Sequence, residues 1–361
     1  MIKKISLILV CSLFLLSGCS FMASRMIPLN DIKEPTGIYN VGTQIFEWVD
    51  EDRDEWFTEL EGDKRRLVVQ VWYPSLDKGE NTDPWIDYSP HRIQAIIDEY
   101  KIPRFIARSI DRINTNSYFD LSPAKDDYFP IIIFSHGFEG WRSQNTTQIQ
   151  ELVSHGYVVF SVDHTHDALI TIFEDGTFVK SAKKYCKGCD PEEFYKVFNP
   201  QINTRIEDVR FVIDQIEKMQ KNKIESDIFS IMDTDKIGVF GHSFGGGTSL
   251  AVTILDERIK SCISLDGWYT PVHPDIYSRG LTRPFLHLGQ IEWDKKINYE
   301  ILDNILSLEN EVSYKLSLNG AEHYDFTDAT HLSNLTSKFN LSSELESKEI
   351  LEVTNTTVLG F

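Results

Sequence analysis

The chain has 361 residues, 36 basic and 55 acidic, for a formal net charge of −19, and is 41% hydrophobic and 12% aromatic. That balance argues against nucleic acid as a partner, because phosphate binding needs clustered Lys and Arg. The apolar and aromatic share is enough for a large core, and the length fits one α/β unit with insertions.

The sequence opens Met1-Ile2-Lys3-Lys4, runs apolar from Ile5 to Leu16 and reaches Leu16-Ser17-Gly18-Cys19. A basic start, a short apolar run and small residues before a cysteine have the form of a bacterial lipoprotein signal peptide, residues 1–18. The run falls short of the roughly 20 residues a bilayer span needs. Cleavage is expected to leave Cys19 as a lipidated first residue, so that the protein is exported and anchored to a membrane surface. The competing reading is an ordinary signal peptide with an incidental Cys19. Loss of Lys3 and Lys4 would move the charge from −19 to −21, which suits a tethered globular enzyme better than one held to anionic lipid by charge. No later stretch is apolar enough to span a membrane, and no protein partner is implied.

Residues 19–62 read as an N-terminal segment without a clear element, its acidic run Asp50 to Glu55 being most simply a solvated face or loop. A single domain is expected from 63 to 361. The alternation Leu67-Val68-Val69-Gln70-Val71-Trp72-Tyr73, ended by Pro74, predicts a strand. Residues 75–126 interrupt the sheet. There Ile93, Ile96, Ile97 and Tyr100, then Ile106, Ile110 and Ile113, recur at helical spacing on either side of Pro103 and predict a lid-like helical insertion. Arg92, Lys101, Arg104, Arg108 and Arg112 add a basic bias that a bilayer-facing lid would share, but an apolar side packed on the body is favoured.

From Phe129 the pattern turns regular: a strand over 130–135, a turn over 136–141, a helix over 142–154 and a strand over 157–162. Ile202, Ile206, Val209, Ile213 and Ile216 then line one face of a long helix. Further strands are predicted at 259–265, 284–289 and 312–318. Strands alternating with helices imply a doubly wound, mostly parallel α/β sheet covered on both faces, with chemistry at the carboxyl ends of the strands. Cys11 leaves with the signal peptide, so Cys186, Cys189 and Cys262 remain, too few for a disulfide framework. Cys186-Lys187-Gly188-Cys189 predicts a local disulfide rather than zinc, since no second ligand pair follows. Cys262, inside an apolar run, is expected to be buried and inert.

Between the long helix and the strand at 259–265 lies Gly241-His242-Ser243-Phe244-Gly245, which fits the G-x-S-x-G nucleophile elbow. Its glycines remove side chains that would collide in the turn, and the Phe244 N–H at the following helix start would face the oxygen that turns negative when Ser243 attacks an ester. Standing alone, the window also fits a glycine-rich strand-to-helix turn with no chemistry. A serine nucleophile needs a histidine base and an acid to orient it, both from downstream strand ends. Asp266 follows the strand ending at Leu265, and His323 follows the one ending at Leu318. Asp294 is the rival acid, and Asp325 stands in the wrong order. His136 is read as shaping its turn, His155 and His242 as satisfying local backbone, and His91, His273, His287 and His331 as lacking any ligand-like grouping. Asp163-His164-Thr165-His166-Asp167 admits a metal, but polar loops are common at strand ends. A serine hydrolase needs no cofactor, and none is expected.

Five stretches together carry a resemblance: Phe134-Ser135-His136-Gly137-Phe138, Leu152-Val153-Ser154-His155-Gly156-Tyr157-Val158-Val159, Gly241-His242-Ser243-Phe244-Gly245-Gly246, Asp266-Gly267-Trp268 and Gly320-Ala321-Glu322-His323-Tyr324-Asp325-Phe326-Thr327-Asp328. Over residues 65–335 the chain resembles the plasma-type platelet-activating-factor acetylhydrolase family, calcium-independent serine esterases of the α/β-hydrolase fold. The resemblance implies an acid in the Asp-x-Trp motif soon after the serine, and the step from 243 to 266 is 23 residues, favouring Asp266 over Asp294. It also implies Ser243 as nucleophile, His323 as base, and the N–H groups of Phe138 and Phe244 as the oxyanion hole. The implied substrates are esters with short or oxidised acyl chains, including sn-2 acyl groups of phospholipids. A broad carboxylesterase or polyester hydrolase would share every catalytic feature. A surface lipoprotein that binds without catalysis is the reading from another class, against which the complete triad argues. The loop from Asp163 to Asp167 has one residue more than the family's acid-His-x-Asp pattern, and the Cys186 to Cys189 segment is not a family signature, which leaves acyl preference open.

Overall fold

The computed structural model describes residues 29–361 except 88, 183, 223–225, 294, 309–311, 334–335 and 337–341. The signal segment, Cys19 and the rival acid Asp294 therefore lie outside the described residues. In chain order the strands are β1 (Asn40–Asp54), β2 (Lys64–Ser75), β3 (Ser117–Phe119), β4 (Phe129–Ser135), β5 (Val158–Asp163), β6 (Ile170–Ile172), β7 (Phe178–Lys180), β8 (Met232–His242), β9 (Ile259–Leu265), β10 (Phe285–Gln290) and β11 (Ser313–Leu318). The main helices are α1 (Ser89–Tyr100), α2 (Thr146–Ser154), α3 (Pro191–Asn222), α4 (Phe244–Leu255), α5 (Ile297–Ser307) and α6 (Ser347–Gly360).

Nine strands form one sheet in the order β11-β10-β9-β8-β4-β5-β2-β1-β3, while β6 and β7 pair separately as a hairpin. The run from β11 to β5 is parallel, and β2 joins antiparallel to both β5 and β1. The centre of a parallel sheet is covered on both faces, which is why β5, Val-Val-Phe-Ser-Val-Asp, is buried throughout. On one face Ile202, Ile206, Val209, Ile213 and Ile216 of α3 pack with Val69, Val71, Ile131, Ile133 and Phe160. On the other, Ile149, Leu152 and Val153 of α2 pack with Trp72, Phe134, Val159 and Phe240. This is the α/β-hydrolase architecture that the resemblance implies.

Two local readings change. The acidic run Asp50 to Glu55 is not simply solvated: β1 pairs with β2 from Asn40 opposite Ser75 to Asp50 opposite Arg65, Asp50 and Glu55 are buried, and Arg65, 1% exposed, holds Glu55. Arg65 Nη1 donates to Glu55 at 2.7 Å, while its Nε and Nη2 reach Asp208 of α3 at 2.9 and 2.6 Å. Helix α2 also begins at Thr146 rather than Arg142, because the Arg142 N–H is drawn to Asp163 Oδ1 at 2.7 Å. The insertion over 75–126 carries α1, a short helical turn at Arg104–Ala107 and a 3-10 turn at Arg108–Arg112. Its Ile93, Ile96 and Ile113 pack with Leu169, Ile170 and Ile172 around the β6–β7 hairpin.

Candidate active site

Ser243 is the single residue between β8 and α4, at φ 56° and ψ −118°, a conformation that an L-residue holds only when its surroundings enforce it. The enforcement is visible on both sides. A Cβ on Gly245 would stand 1.9 Å from the Ser135 carbonyl oxygen, and one on Gly241 would stand 2.3 Å from that of Gly245. The Ser243 N–H donates to Leu265 O at 3.0 Å and its carbonyl accepts from the Trp268 N–H at 2.7 Å, which fastens the turn to the end of β9.

Ser243 Oγ lies 2.9 Å from His323 Nε2, and His323 Nδ1 lies 2.6 Å from Asp266 Oδ2. A proton on Nδ1 held by the carboxylate leaves the Nε2 lone pair facing the hydroxyl, the arrangement that lets serine lose its proton as it attacks. Asp266, fully buried and at φ 43°, also accepts from Gln290 N at 3.1 Å, Gln290 Nε2 at 3.0 Å, Trp293 Nε1 at 3.0 Å and Tyr299 OH at 2.8 Å. Burial alone would raise its pKa; the hydrogen bond and charge of His323, with the Tyr299 hydroxyl, instead bring it down to about 2. Trp293 stands edge-on to the His323 ring at 5.0 Å. Asp325 has a different task, accepting from the Glu322 N–H at 2.8 Å and so capping the 3-10 turn that presents His323.

The N–H groups expected to form the oxyanion hole, those of Phe138 and Phe244, lie in the turn after β4 and at the start of α4. Arg205 of α3, fully buried, pairs with Asp167 at 2.6 and 2.9 Å. The same guanidinium donates to the carbonyls of His136 and Gly137 and lies over the Phe244 ring. In a trans peptide C=O and N–H point oppositely, so fixing the Gly137 carbonyl fixes the direction of the Phe138 N–H. The Phe244 N–H belongs to the first turn of α4, where amides lack an intrahelical acceptor. Phe138, Phe244 and Trp268 pack together beside Ser243, with ring centroids 5.4 to 6.3 Å apart.

His242 is buried with its ring 4.6 Å from that of His323, and its Nε2 reaches the His323 carbonyl at 3.0 Å. Burial, then the neighbouring His323, lowers its pKa to about 3. His136 is held neutral chiefly by burial and shapes its turn through Nδ1 and the Gly137 carbonyl at 2.6 Å. The ring nitrogens of His164 are engaged by Ser135 Oγ and Asp208 at 2.9 Å each, and His166 stacks on Phe57. Among the described residues no group of three His, Cys, Asp or Glu could hold a metal. Cys186 and Cys189 are joined as a disulfide. Cys262 is buried, and burial pushes its thiol up to about 12.

Gln144, Arg205, Gln290, Trp293 and Tyr299 were not legible as site residues, because each acts through a contact between elements distant in sequence. The one local clue was the position of Gln290 and Trp293 at the end of a predicted strand.

The family model described as platelet-activating factor acetylhydrolase, isoform II, matches residues 28–361. The chain is 23% identical over 368 residues to a platelet-activating factor acetylhydrolase of Bos taurus, covering 95% of this chain and 79% of that protein. It is 26% identical over 271 residues to a probable 1-alkyl-2-acetylglycerophosphocholine esterase of Arthroderma benhamiae, covering 72% and 65% respectively. A solved ferulic acid esterase from Streptomyces cinnamoneus superposes with a TM-score of 0.74 at 24% identity, covering 91% of each chain, and shares the fold.

Proposed function

Because the chain belongs to the platelet-activating factor acetylhydrolase, isoform II, family, we propose that it is a serine esterase acting through an acyl-Ser243 intermediate. His323 takes the Ser243 proton as Oγ attacks the ester carbonyl, and the N–H groups of Phe138 and Phe244 receive the charge on the carbonyl oxygen. Collapse of the tetrahedral species expels the alcohol, to which His323 returns the proton. Water, activated by the same histidine, then releases the acid and restores Ser243. Asp266 keeps the histidine in the tautomer both halves require. The observation that supports this reading above all is the unbroken chain from Ser243 Oγ to His323 at 2.9 Å and on to Asp266 at 2.6 Å.

The substrates we propose are esters with short or oxidised acyl chains, including sn-2 acyl groups of phospholipids, in keeping with the names of the relatives. An acyl-chain-length series on purified protein, run on soluble esters and on phospholipids, is expected to show turnover falling steeply with length on both. Equal turnover of long and short chains would contradict it. We further propose export and a lipid anchor at Cys19, on the Leu16-Ser17-Gly18-Cys19 pattern. Mass spectrometry of the mature amino terminus tests the anchor, and Cys19→Ser is expected to release the protein from the membrane fraction. An unmodified terminus beginning elsewhere would remove the anchor from the account.

A further inference from the structure

The turn that carries the Phe138 N–H and the base His323 belong to different segments of the chain, and one side chain touches the supports of both. Gln144 Oε1 accepts from the Gly137 N–H at 2.7 Å, and its Nε2 lies 2.9 Å from His242 Nδ1. The assignment of every proton along this path is forced. A backbone N–H can only donate, so the amide presents Oε1 to Gly137 and its NH₂ to His242. His242 Nδ1 must then accept, which puts the ring proton on Nε2 and makes that nitrogen the donor to the His323 carbonyl at 3.0 Å. A carbonyl can only accept, and the path closes without a mismatch. Space for the amide is reserved as well: a Cβ on Gly140 would stand 2.2 Å from Gln144 Oε1, and one on Gly137 would stand 3.0 Å from His242 Nδ1. The backbone N–H of Asp328, five residues after the base, donates to the Gln144 carbonyl at 3.1 Å.

We propose that Gln144 is a positioning residue that holds the oxyanion turn and the catalytic base in register, through a relay running from the Gly137 N–H through Gln144 and His242 to the His323 carbonyl. The peptide between His136 and Gly137 is pinned at both ends, its carbonyl by Arg205 and its N–H by Gln144. The next N–H, that of Phe138, inherits its aim. Because the same amide sets the tautomer of His242, a shift of the oxyanion turn is felt at His323, and the two groups that must act in one transition state keep one spacing. Displacements near 1 Å at such groups cost on the order of 10²-fold in rate. The inference rests on the triad proposed above.

The test is a double-mutant cycle with Gln144→Met, which keeps length and loses both bonds, and His242→Phe, which keeps the ring and loses both nitrogens. Each single variant is expected to lower kcat by about 10- to 100-fold with KM changed less than about twofold. Affinity for a trifluoromethyl ketone, whose adduct with Ser243 places an oxyanion in the hole, should fall by the same factor as kcat/KM. The double variant should lose no more than the worse single one, because the two residues belong to one relay. Folded Gln144→Met with kcat within about twofold of the parent, or losses that add in the double variant, would overturn the proposal. If Gln144→Met does not fold, His242→Phe breaks the same relay from its other end and is judged by the same kcat and inhibitor measurements. Ser243→Ala, run alongside, separates the two levels: an inactive Ser243→Ala beside an unaffected Gln144→Met rejects the relay alone, and an active Ser243→Ala rejects the triad.

Discussion

Asp266 receives hydrogen bonds from five donors on its two oxygens, so an amide in its place must turn its NH₂ against a donor whichever way it is flipped. Facing His323, the amide would force the proton onto Nε2 and leave no lone pair for Ser243. Asp266→Asn is therefore expected to lose on the order of 10⁴ in turnover, measured as kcat/KM on protein whose fold is checked by thermal melting. Near-normal turnover in the folded variant would mean that the acid is another residue. Gly289 shows how closely the carboxylate is held: a Cβ there would lie 2.6 Å from both Asp266 Oδ1 and His287 Nε2, and 2.8 Å from the Tyr299 hydroxyl. Gly289→Ala should displace Asp266 and cost at least about tenfold in kcat, because a misplaced orienting group acts directly on the transition state. Wild-type turnover in that variant would show that Asp266 tolerates movement.

At the scale of elements, buried ion pairs join β1, β2 and α3: Arg65 of β2 pairs with Glu55, just after β1, and with Asp208 of α3, which Arg53 of β1 also reaches at 3.0 Å. The Arg65 guanidinium and the His164 hydrogen bond hold Asp208 far below the usual carboxylate range despite its burial. Arg65→Met should leave two buried carboxylates short of a partner and destabilise the fold by about 3–5 kcal/mol, read from denaturant melting; a change below about 1 kcal/mol would mean that water reaches the pair. The same contact explains what the sequence conceals. The parallel strands from β4 onward were legible from their apolar patterns and closing turns, the three-residue β6 and β7 were not, and the elbow was legible because its glycines flank the serine within five residues. β1 was not, because Glu47, Asp50, Glu51, Asp52 and Asp54 break its alternation, and the pairing that makes it a strand is with β2, on the far side of a turn. The triad could be read as types in the right order at strand ends. Gln144, Arg205 and Tyr299 could not, because the contacts that give them meaning exist only after the elements have packed.

For the whole molecule, burial lowers the pKa of His136 and His164 and takes those of His242, His287 and His331 to about 3, about 4 and about 4. A histidine kept neutral in the fold takes up a proton on unfolding below its ordinary value of 6.5, so its stabilising effect is present above that pH and is lost as pH falls toward the folded value. Burial raises the carboxyls of Asp83 and Asp328 to about 6, which acts in the opposite direction between their ordinary value and 6. With His166 also lowered by burial, six histidines against two carboxyls predict a net uptake of protons on unfolding near pH 5, with the melting temperature falling from pH 6.5 toward 4. Calorimetry in buffers of differing ionisation heat measures the uptake, and none or a release would contradict the burial described. Turnover is expected to survive chelation, since the proposed mechanism has backbone N–H groups rather than a metal facing the developing charge; loss in EDTA restored by a divalent cation would return attention to His164 and His166. The central claim is that chemistry passes through an ester on Ser243. It is tested most directly by acid-quenching the protein during turnover of an acetyl ester and mapping its peptides by mass spectrometry: the account predicts an acetyl group on the peptide bearing Ser243, absent in Ser243→Ala, whereas turnover with the acetyl group on another residue, or undiminished in Ser243→Ala, would contradict it.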